Sequence, residues 1–233
     1  MIILGIETAT QRAGVALGGP DGLLASIETG GGRRHAESLN PAVEQACQHA
    51  GITIGEIGAV AIDIGPGLFT GMRVGIAAAK AFAYALELPM IAVSSLDLVA
   101  FPLRFSAGRV AAVIDARKGQ VFYAFYAPVP GGVQRLGEPV VSSLDELVAE
   151  LQLSGEHHIL VGDGALRYRD QLTDVIRCDY ADEFLNFPSA AALVYLARGA
   201  ALRGQWTDAA LIQPMYLREP DAQINWQVRQ GAR

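Results

Sequence analysis

Residues 63–75 read Asp63-Ile64-Gly65-Pro66-Gly67-Leu68-Phe69-Thr70-Gly71-Met72-Arg73-Val74-Gly75, and this order predicts a strand, a glycine-rich loop and the start of a helix. Backbone N–H groups and the helix dipole favour an anion at such a junction, so a phosphate site is physically available. The spacing matches neither G-x-x-x-x-G-K-[ST] nor G-x-G-x-x-G. The alternative is structural: the glycines make a tight turn and let the helix pack closely on a neighbour. On these residues alone we favour the structural interpretation.

The predicted helix carries two rows of small residues at four-residue steps, and Thr70 is its expected N-cap. One row is Gly71, Gly75 and Ala79, and the other is Ala77, Ala81 and Ala85. Small residues at this spacing let two helix axes approach closely. Two interpretations stay open: both rows are buried inside the chain's own fold, or one row packs on the core and the other on a second chain.

The rest of the chain predicts an α/β architecture of two similar units. Apolar runs at 2–6, 14–18 and 23–28 predict three strands with tight connections, followed by a helix over about 35–50. A second unit begins near Gly108 and again opens with strands before its helices. We expect lobes at 1–106 and 107–218, a last long helix at 189–203 that packs back on the first lobe, and a loosely held or partner-dependent polar tail at 219–233.

Composition excludes several classes of protein. The chain has 233 residues, 51% of them hydrophobic, with a net charge of −6, and no basic run exceeds Arg33-Arg34, so free-standing nucleic-acid binding is not expected. Two distant cysteines and an N-terminus without a positive region predict a reducing, cytoplasmic location. Charged residues interrupt the most apolar stretch, Val74 to Met90, which argues against a membrane span.

Polar residues at predicted strand ends are the candidates for a nucleotide site. Glu7, Thr8 and Thr10 follow the first strand, and Asp115 and Asp163 follow later strands. In phosphotransferases of the actin-like class an Asp commonly stands where Glu7 stands, so the longer side chain and the absence of a glycine at position 9 suggest a degraded site. The alternative is that each Asp caps a turn. A metal site and a G-x-S-x-G hydrolase elbow are not expected.

Several motifs, taken together, resemble the bacterial TsaB (YeaZ) family. They are Ile3–Thr10, His35–Leu39, Gly65–Gly75, Asp115–Tyr123 and Pro214–Arg218, and they occur in the family's order over nearly the whole chain. The resemblance implies an actin-like ATPase (ASKHA, ribonuclease H-like) fold with two related α/β lobes. It also implies a non-catalytic partner of TsaD in the synthesis of threonylcarbamoyladenosine (t6A) beside the anticodon of tRNA, with TsaE and ATP supporting turnover.

Two features separate the chain from TsaD itself. TsaD-like proteins hold their metal with a His-x-x-x-His pair, whereas Leu39 follows His35 at that spacing, and they are longer than this chain. The resemblance therefore implies no cofactor bound by this subunit alone, ATP and a metal ion at partner proteins or a composite interface, indirect contact with tRNA, and a homodimer in the absence of TsaD. It maps the interface with TsaD, or with a second copy, onto two helices, at Ala36, Leu39, Val43, Ala46, Thr70, Gly71, Arg73, Val74, Gly75, Ala78, Ala81 and Phe82.

Two other functions stay open at this point. A small-molecule kinase or ATPase of the actin-like class would use the cleft between the lobes, with its nucleotide near Glu7, Thr8, Thr10, Gly65, Gly67 and Asp115, and titration with ATP and magnesium would distinguish it. An M22-type peptidase is the third candidate, although the metal pair and a nucleophile are missing from the sequence.

Overall fold

The computed structural model describes residues 1–30 and 35–218, except for the side chains of His35 and Ala36. The first sheet has the order β3-β2-β1-β4-β5. β1 pairs antiparallel with β2 and parallel with β4. Its five strands are β1 (Ile2–Glu7), β2 (Arg12–Gly19), β3 (Gly22–Gly30), β4 (Ile57–Asp63) and β5 (Met90–Val93). β1, β2 and β4 are buried along almost their whole length, as expected for a sheet covered on both faces.

Two long helices cover one face of this sheet. They are α1 (His35–Ala50) and α2 (Phe69–Ala85), and their apolar sides pack with β1, β2 and β4 in one buried cluster. α2 begins at Phe69 with Leu68 in the N-cap position and no side-chain cap. The prediction that Thr70 caps this helix is therefore wrong. 3₁₀ helices lie at Ile54–Glu56 and Phe101–Leu103. The short α3 (Ser95–Ala100) follows β5 and packs on the second sheet, where its residues Leu96, Val99 and Ala100 are buried against β6.

The second lobe repeats the arrangement of the first. Its sheet has the order β11-β10-β6-β7-β8, with β9 paired to β7, so an antiparallel meander is again followed by two parallel strands. This confirms the predicted fold of two related α/β lobes. The strands are β6 (Arg109–Arg117), β7 (Gln120–Val129), β8 (Gly132–Arg135), β9 (Val140–Ser143), β10 (His158–Val161) and β11 (Cys178–Tyr180).

Four helices accompany the second sheet in sequence, and the last of them packs on the first. They are α4 (Leu144–Ser154), α5 (Asp163–Arg167), α6 (Arg169–Thr173) and α7 (Ala190–Leu202), with a 3₁₀ helix at Glu183–Leu185. Ser189 caps α7 by accepting a hydrogen bond from the N–H of Ala192 at 3.1 Å. Leu193 and Ala197 are buried among Ile3 of β1 and Ala16 of β2, so α7 covers the face of the first sheet opposite to α1 and α2.

The chain after α7 stays on the first lobe before it crosses to the second. The N–H of Thr207 donates to the carbonyl of Met90, and Ile212 is buried with the α1–α2 cluster. Leu217 then packs against the core of the second lobe. The predicted tail at 219–233 lies outside the described residues. No helix within the described ranges is long and apolar enough to cross a membrane.

Candidate functional site

The carboxyl ends of β1 and β4, which are neighbouring parallel strands, bring two buried acids to the same edge of the first sheet. Glu7 ends β1 and is 1% exposed, and Asp63 ends β4 and is fully buried. The N–H of Ala9 donates to Oε1 of Glu7 at 2.7 Å. The N–H of Gly65 donates to Oδ1 of Asp63 at 2.8 Å, and Oγ of Ser95 lies 2.7 and 2.8 Å from the two oxygens of Asp63. Sequence reasoning missed Asp63 and Ser95, because only the folded sheet places them beside Glu7.

Burial governs the protonation of both acids. Desolvation, and then the charge of Asp63, raises the pKa of Glu7 well above its usual value. Desolvation also raises the pKa of Asp63, although the hydrogen bonds from Gly65 and Ser95 oppose this. Both carboxyl groups therefore hold a proton more tightly than exposed ones do.

The glycine-rich loop is filled by the turn between β1 and β2. The N–H of Leu68, at the start of α2, donates to the carbonyl of Ala9 at 2.6 Å. A Cβ at Gly67 would overlap this carbonyl, and one at Gly71 would overlap the carbonyl of Thr8. The carbonyl oxygens of Thr8 and Ala9 thus pack against this loop and the start of α2, which is the close packing that the structural interpretation expects.

The two threonines of the predicted nucleotide site also face inward. Thr8 is fully buried and donates to the carbonyl of Gly71 at 2.8 Å. Thr10 is 2% exposed, and its hydroxyl accepts from the N–H of Arg12 at 3.4 Å. Gly65 is buried in the loop, where its φ of 99° favours glycine. The residues predicted at the nucleotide site on this lobe are Glu7, Thr8, Thr10, Gly65 and Gly67, and all five make their contacts within the chain.

Asp115, the sixth residue of that predicted site, is neutralised within its own lobe. Its Oδ2 lies 3.1 Å from a guanidinium nitrogen of Arg117 and 3.6 Å from one of Arg167. Its backbone N–H donates to Oδ1 of Asp163 at 3.0 Å, and burial raises the pKa of Asp163 to about 6. The carboxylate of Asp115 is thus paired with two arginines. Within residues 1–30 and 35–218, no group of three His, Cys, Asp or Glu side chains could hold a metal ion.

The two rows of small residues on α2 face opposite ways. Gly71, Gly75 and Ala79, the inner row, are buried against β1 and β4. Ala77, Ala81 and Ala85 are exposed, and with Arg73 they form the outer row at four-residue steps. Tyr84, beside this row, is 90% exposed. The structure therefore has the two-faced arrangement of rows, with one row on the core and one in solvent.

Of the predicted interface residues, those on the inner side of the helices need correction. Five of them are buried within the first lobe. These are Leu39, Val43 and Ala46 on the inner side of α1, and Gly71 and Gly75 on the side of α2 that faces the turn at Thr8. The exposed ones are Thr70, Arg73 and Ala81, and the half-buried ones are Val74, Ala78 and Phe82. The side chain of Ala36 lies outside the described part of the chain.

An apolar groove runs between the outer surfaces of these helices. It has a volume of about 480 Å³ and contains Phe82 of α2, Cys47 of α1, and Ile52 and Ile54 of the following segment, with Val43 at its floor. Ile54 is 44% exposed. The outer row and this groove together give the first lobe an exposed face of small and apolar side chains.

The repeated sheet order of the two lobes defines a protein of the actin-like ATPase fold. An activator of 2-hydroxyisocaproyl-CoA dehydratase from Clostridium difficile shares the fold, with a TM-score of 0.50 and 10% identity over 88% of this chain and 97% of that one. YeaZ from Pseudomonas aeruginosa superposes with a TM-score of 0.78 and 29% identity over 93% of this chain and 99% of that one.

Sequence comparison identifies the family. The TsaB protein of Escherichia coli, a tRNA threonylcarbamoyladenosine biosynthesis protein, is 34% identical over 94% of this chain and 95% of its own length. The family model of TsaD, described as tRNA N6-adenosine threonylcarbamoyltransferase, matches residues 27–226. This chain belongs to the TsaB (YeaZ) family, which confirms the resemblance read from the motifs.

Proposed function

We propose that this protein is a non-catalytic subunit of the t6A synthesis machinery, which binds the catalytic protein TsaD and supports transfer of the threonylcarbamoyl group to tRNA. Membership of the TsaB family supports a role in t6A synthesis. The observation that carries the rest is the exposed outer row of α2, where Ala77, Ala81 and Ala85 leave room for a helix of a partner. Small side chains allow such close helix packing.

The polar residues at these strand ends support a role without catalysis. Glu7, Thr8 and Thr10 are buried, and Asp115 is paired with two arginines. The chain thus offers no free carboxylate or hydroxyl at the described strand ends for a kinase or a peptidase to use. We place the ATP and the metal ion of the reaction on TsaD, on TsaE or at a composite interface, and the protein in the cytoplasm with them. Contact with tRNA would be indirect.

The binding face is tested by enlarging one residue of the outer row. Ala81→Arg places a long charged side chain where the partner helix would approach, whereas Arg is well tolerated in an exposed helix. The matched control is Ala149→Arg, at an exposed alanine of α4 in the other lobe. We expect Ala81→Arg to abolish co-purification with TsaD and Ala149→Arg to leave it intact, with both variants folded by circular dichroism.

The same face would join two copies of the chain when TsaD is absent, because an exposed apolar surface tends to be covered. Light scattering of the isolated variants measures their oligomeric state and gives a second test. We expect Ala81→Arg to be monomeric and Ala149→Arg to be dimeric. Unchanged TsaD binding by arginine variants at Ala77, Ala81 and Ala85 would contradict the proposed face. A substitution at Gly75 is unsuitable, because its Cβ would collide with Thr8 inside the lobe.

A further inference from the structure

The last described residues tie the two lobes together beside the start of α2. The N–H of Met215 donates to the carbonyl of Ile64 at 2.8 Å, just after β4. Leu217 packs against the core of the second lobe. A guanidinium nitrogen of Arg218 donates to the carbonyl of Ala116 on β6 at 2.5 Å. Tyr216, between these contacts, is therefore positioned by both lobes.

Tyr216 forms a cluster with two residues of α2. Its ring stacks on that of Phe69, with centroids 5.1 Å apart. The guanidinium carbon of Arg73 lies 3.7 Å from the centroid of Phe69, and Nε of Arg73 donates to the hydroxyl of Tyr216 at 2.7 Å. Two aromatic rings and one hydrogen bond thus hold the arginine side chain, although Arg73 is exposed and Tyr216 is 44% exposed. Little side-chain entropy remains to be lost when this guanidinium binds a partner.

Arg73 has no acidic partner in the described part of the chain. None of the described carboxylates lies within salt-bridge distance of it, and only its Nε is taken by Tyr216. α2 carries two cations, Arg73 and Lys80, and no Asp or Glu, although the whole protein has a net charge of −6. The positive outer side of α2 therefore complements an acidic surface, and the two terminal guanidinium nitrogens suit a carboxylate.

We propose that Arg73, held in place by Phe69 and Tyr216, is the electrostatic anchor of the TsaD interface and binds a carboxylate of TsaD. Tyr216 is a positioning residue, which sets the orientation of the guanidinium. Since Leu217 and Arg218 contact the second lobe, the orientation of the Arg73 guanidinium depends on the position of the second lobe relative to the first. This inference rests on the proposed function, because it adds an anchor residue to the α2 face.

The affinity of TsaD for variants at the anchor tests this inference, measured by calorimetry at low and at high salt. Arg73→Gln removes the charge and should weaken binding at least tenfold at low salt, with a much smaller dependence on salt than the wild type shows. Tyr216→Phe keeps the ring and removes the hydroxyl, so a smaller loss is expected. The double variant should bind like Arg73→Gln alone, because Tyr216 acts through Arg73.

The control is a similar arginine on the other side of the lobe. Arg104 lies over Phe101 at 4.2 Å, near α7, and Arg104→Gln should leave both the affinity and its salt dependence unchanged. Equal binding by Arg73→Gln and the wild type would overturn the inference while leaving the proposed function standing, and so would an equal loss in Arg104→Gln. If the wild type itself did not bind TsaD, the proposed function would fall as well.

Discussion

At the scale of single residues, Glu7 and Asp63 make the stability of the first lobe depend on pH. An acid whose pKa is raised by folding binds its proton more tightly in the folded state. Its contribution to stability is therefore fully present below the ordinary pKa and is lost as the pH rises through the raised value. For Glu7 this loss of stability begins near pH 4.5, the ordinary pKa of the group, and continues at higher pH, because burial and the neighbouring Asp63 raise the pKa in the folded state.

Replacement of Glu7 by Gln should remove this dependence. The amide oxygen can still accept the hydrogen bond from Ala9, but no buried charge forms as the pH rises. We expect Glu7→Gln and the wild type to have similar free energies of unfolding near pH 4.5. At pH 8 the variant should be more stable than the wild type, and the difference should grow as the pH rises from 4.5 to 8, as measured by urea denaturation across that range.

An exposed glutamate provides the control for this prediction. The pKa of Glu56 is lowered by hydrogen bonds from the backbone and the side chain of Thr53, so its contribution to stability has the opposite sign with pH. Glu56→Gln should therefore give no gain at pH 8. If Glu7→Gln were less stable than the wild type at pH 8, the account of a buried carboxyl group with a raised pKa would be wrong.

At the scale of elements, α2 is defined by its contact with the turn between β1 and β2. The inner row lies so close to this turn that a Cβ at Gly71 would overlap the carbonyl oxygen of Thr8. The same contact closes the loop before α2 and lets the N–H of Leu68 bond to Ala9. One contact between two elements thus explains why glycine stands at positions 67 and 71.

Gly71→Ala should destabilise the protein, because the added methyl group forces α2 away from the turn. Overpacking of this kind costs about 1–3 kcal/mol in the free energy of unfolding, measured by urea denaturation. Gly55→Ala is the matched control, since a Cβ at Gly55 meets nothing within 4 Å. A loss below 0.5 kcal/mol in Gly71→Ala, or an equal loss in both variants, would contradict the close packing described for α2.

Sequence reasoning identified both rows of α2 but not which of them is buried. Four-residue spacing places each row on one side of a helix, whereas the direction of that side depends on the sheet below. Charged residues usually indicate the exposed side of a helix. This indication is weak here, because the outer row of α2 has one charged residue, Arg73, and three alanines, Ala77, Ala81 and Ala85. For this reason Gly71 and Gly75 were predicted at the interface and lie in the core.

At the scale of the whole molecule, the alternation of strands and helices was sufficient to predict two related lobes. The identical sheet orders confirm that prediction. The connections between the lobes were not predictable, because they join residues far apart in the chain, such as Tyr216 with Arg73 and Arg218 with Ala116. The same holds for Thr8, because its position after β1 follows from the strand pattern, whereas its hydrogen bond to the carbonyl of Gly71 joins residues 63 positions apart.

The central claim is that this chain acts by binding TsaD and performs no chemistry itself. The most direct measurement is threonylcarbamoyl transfer to tRNA, reconstituted from threonylcarbamoyl-AMP with TsaD, TsaE and ATP present, with and without this protein. We predict efficient t6A formation only when both this chain and TsaD are present, and its loss with Ala81→Arg but not with Ala149→Arg. An equal rate in the absence of this chain, or t6A formation by this chain without TsaD, would contradict the account.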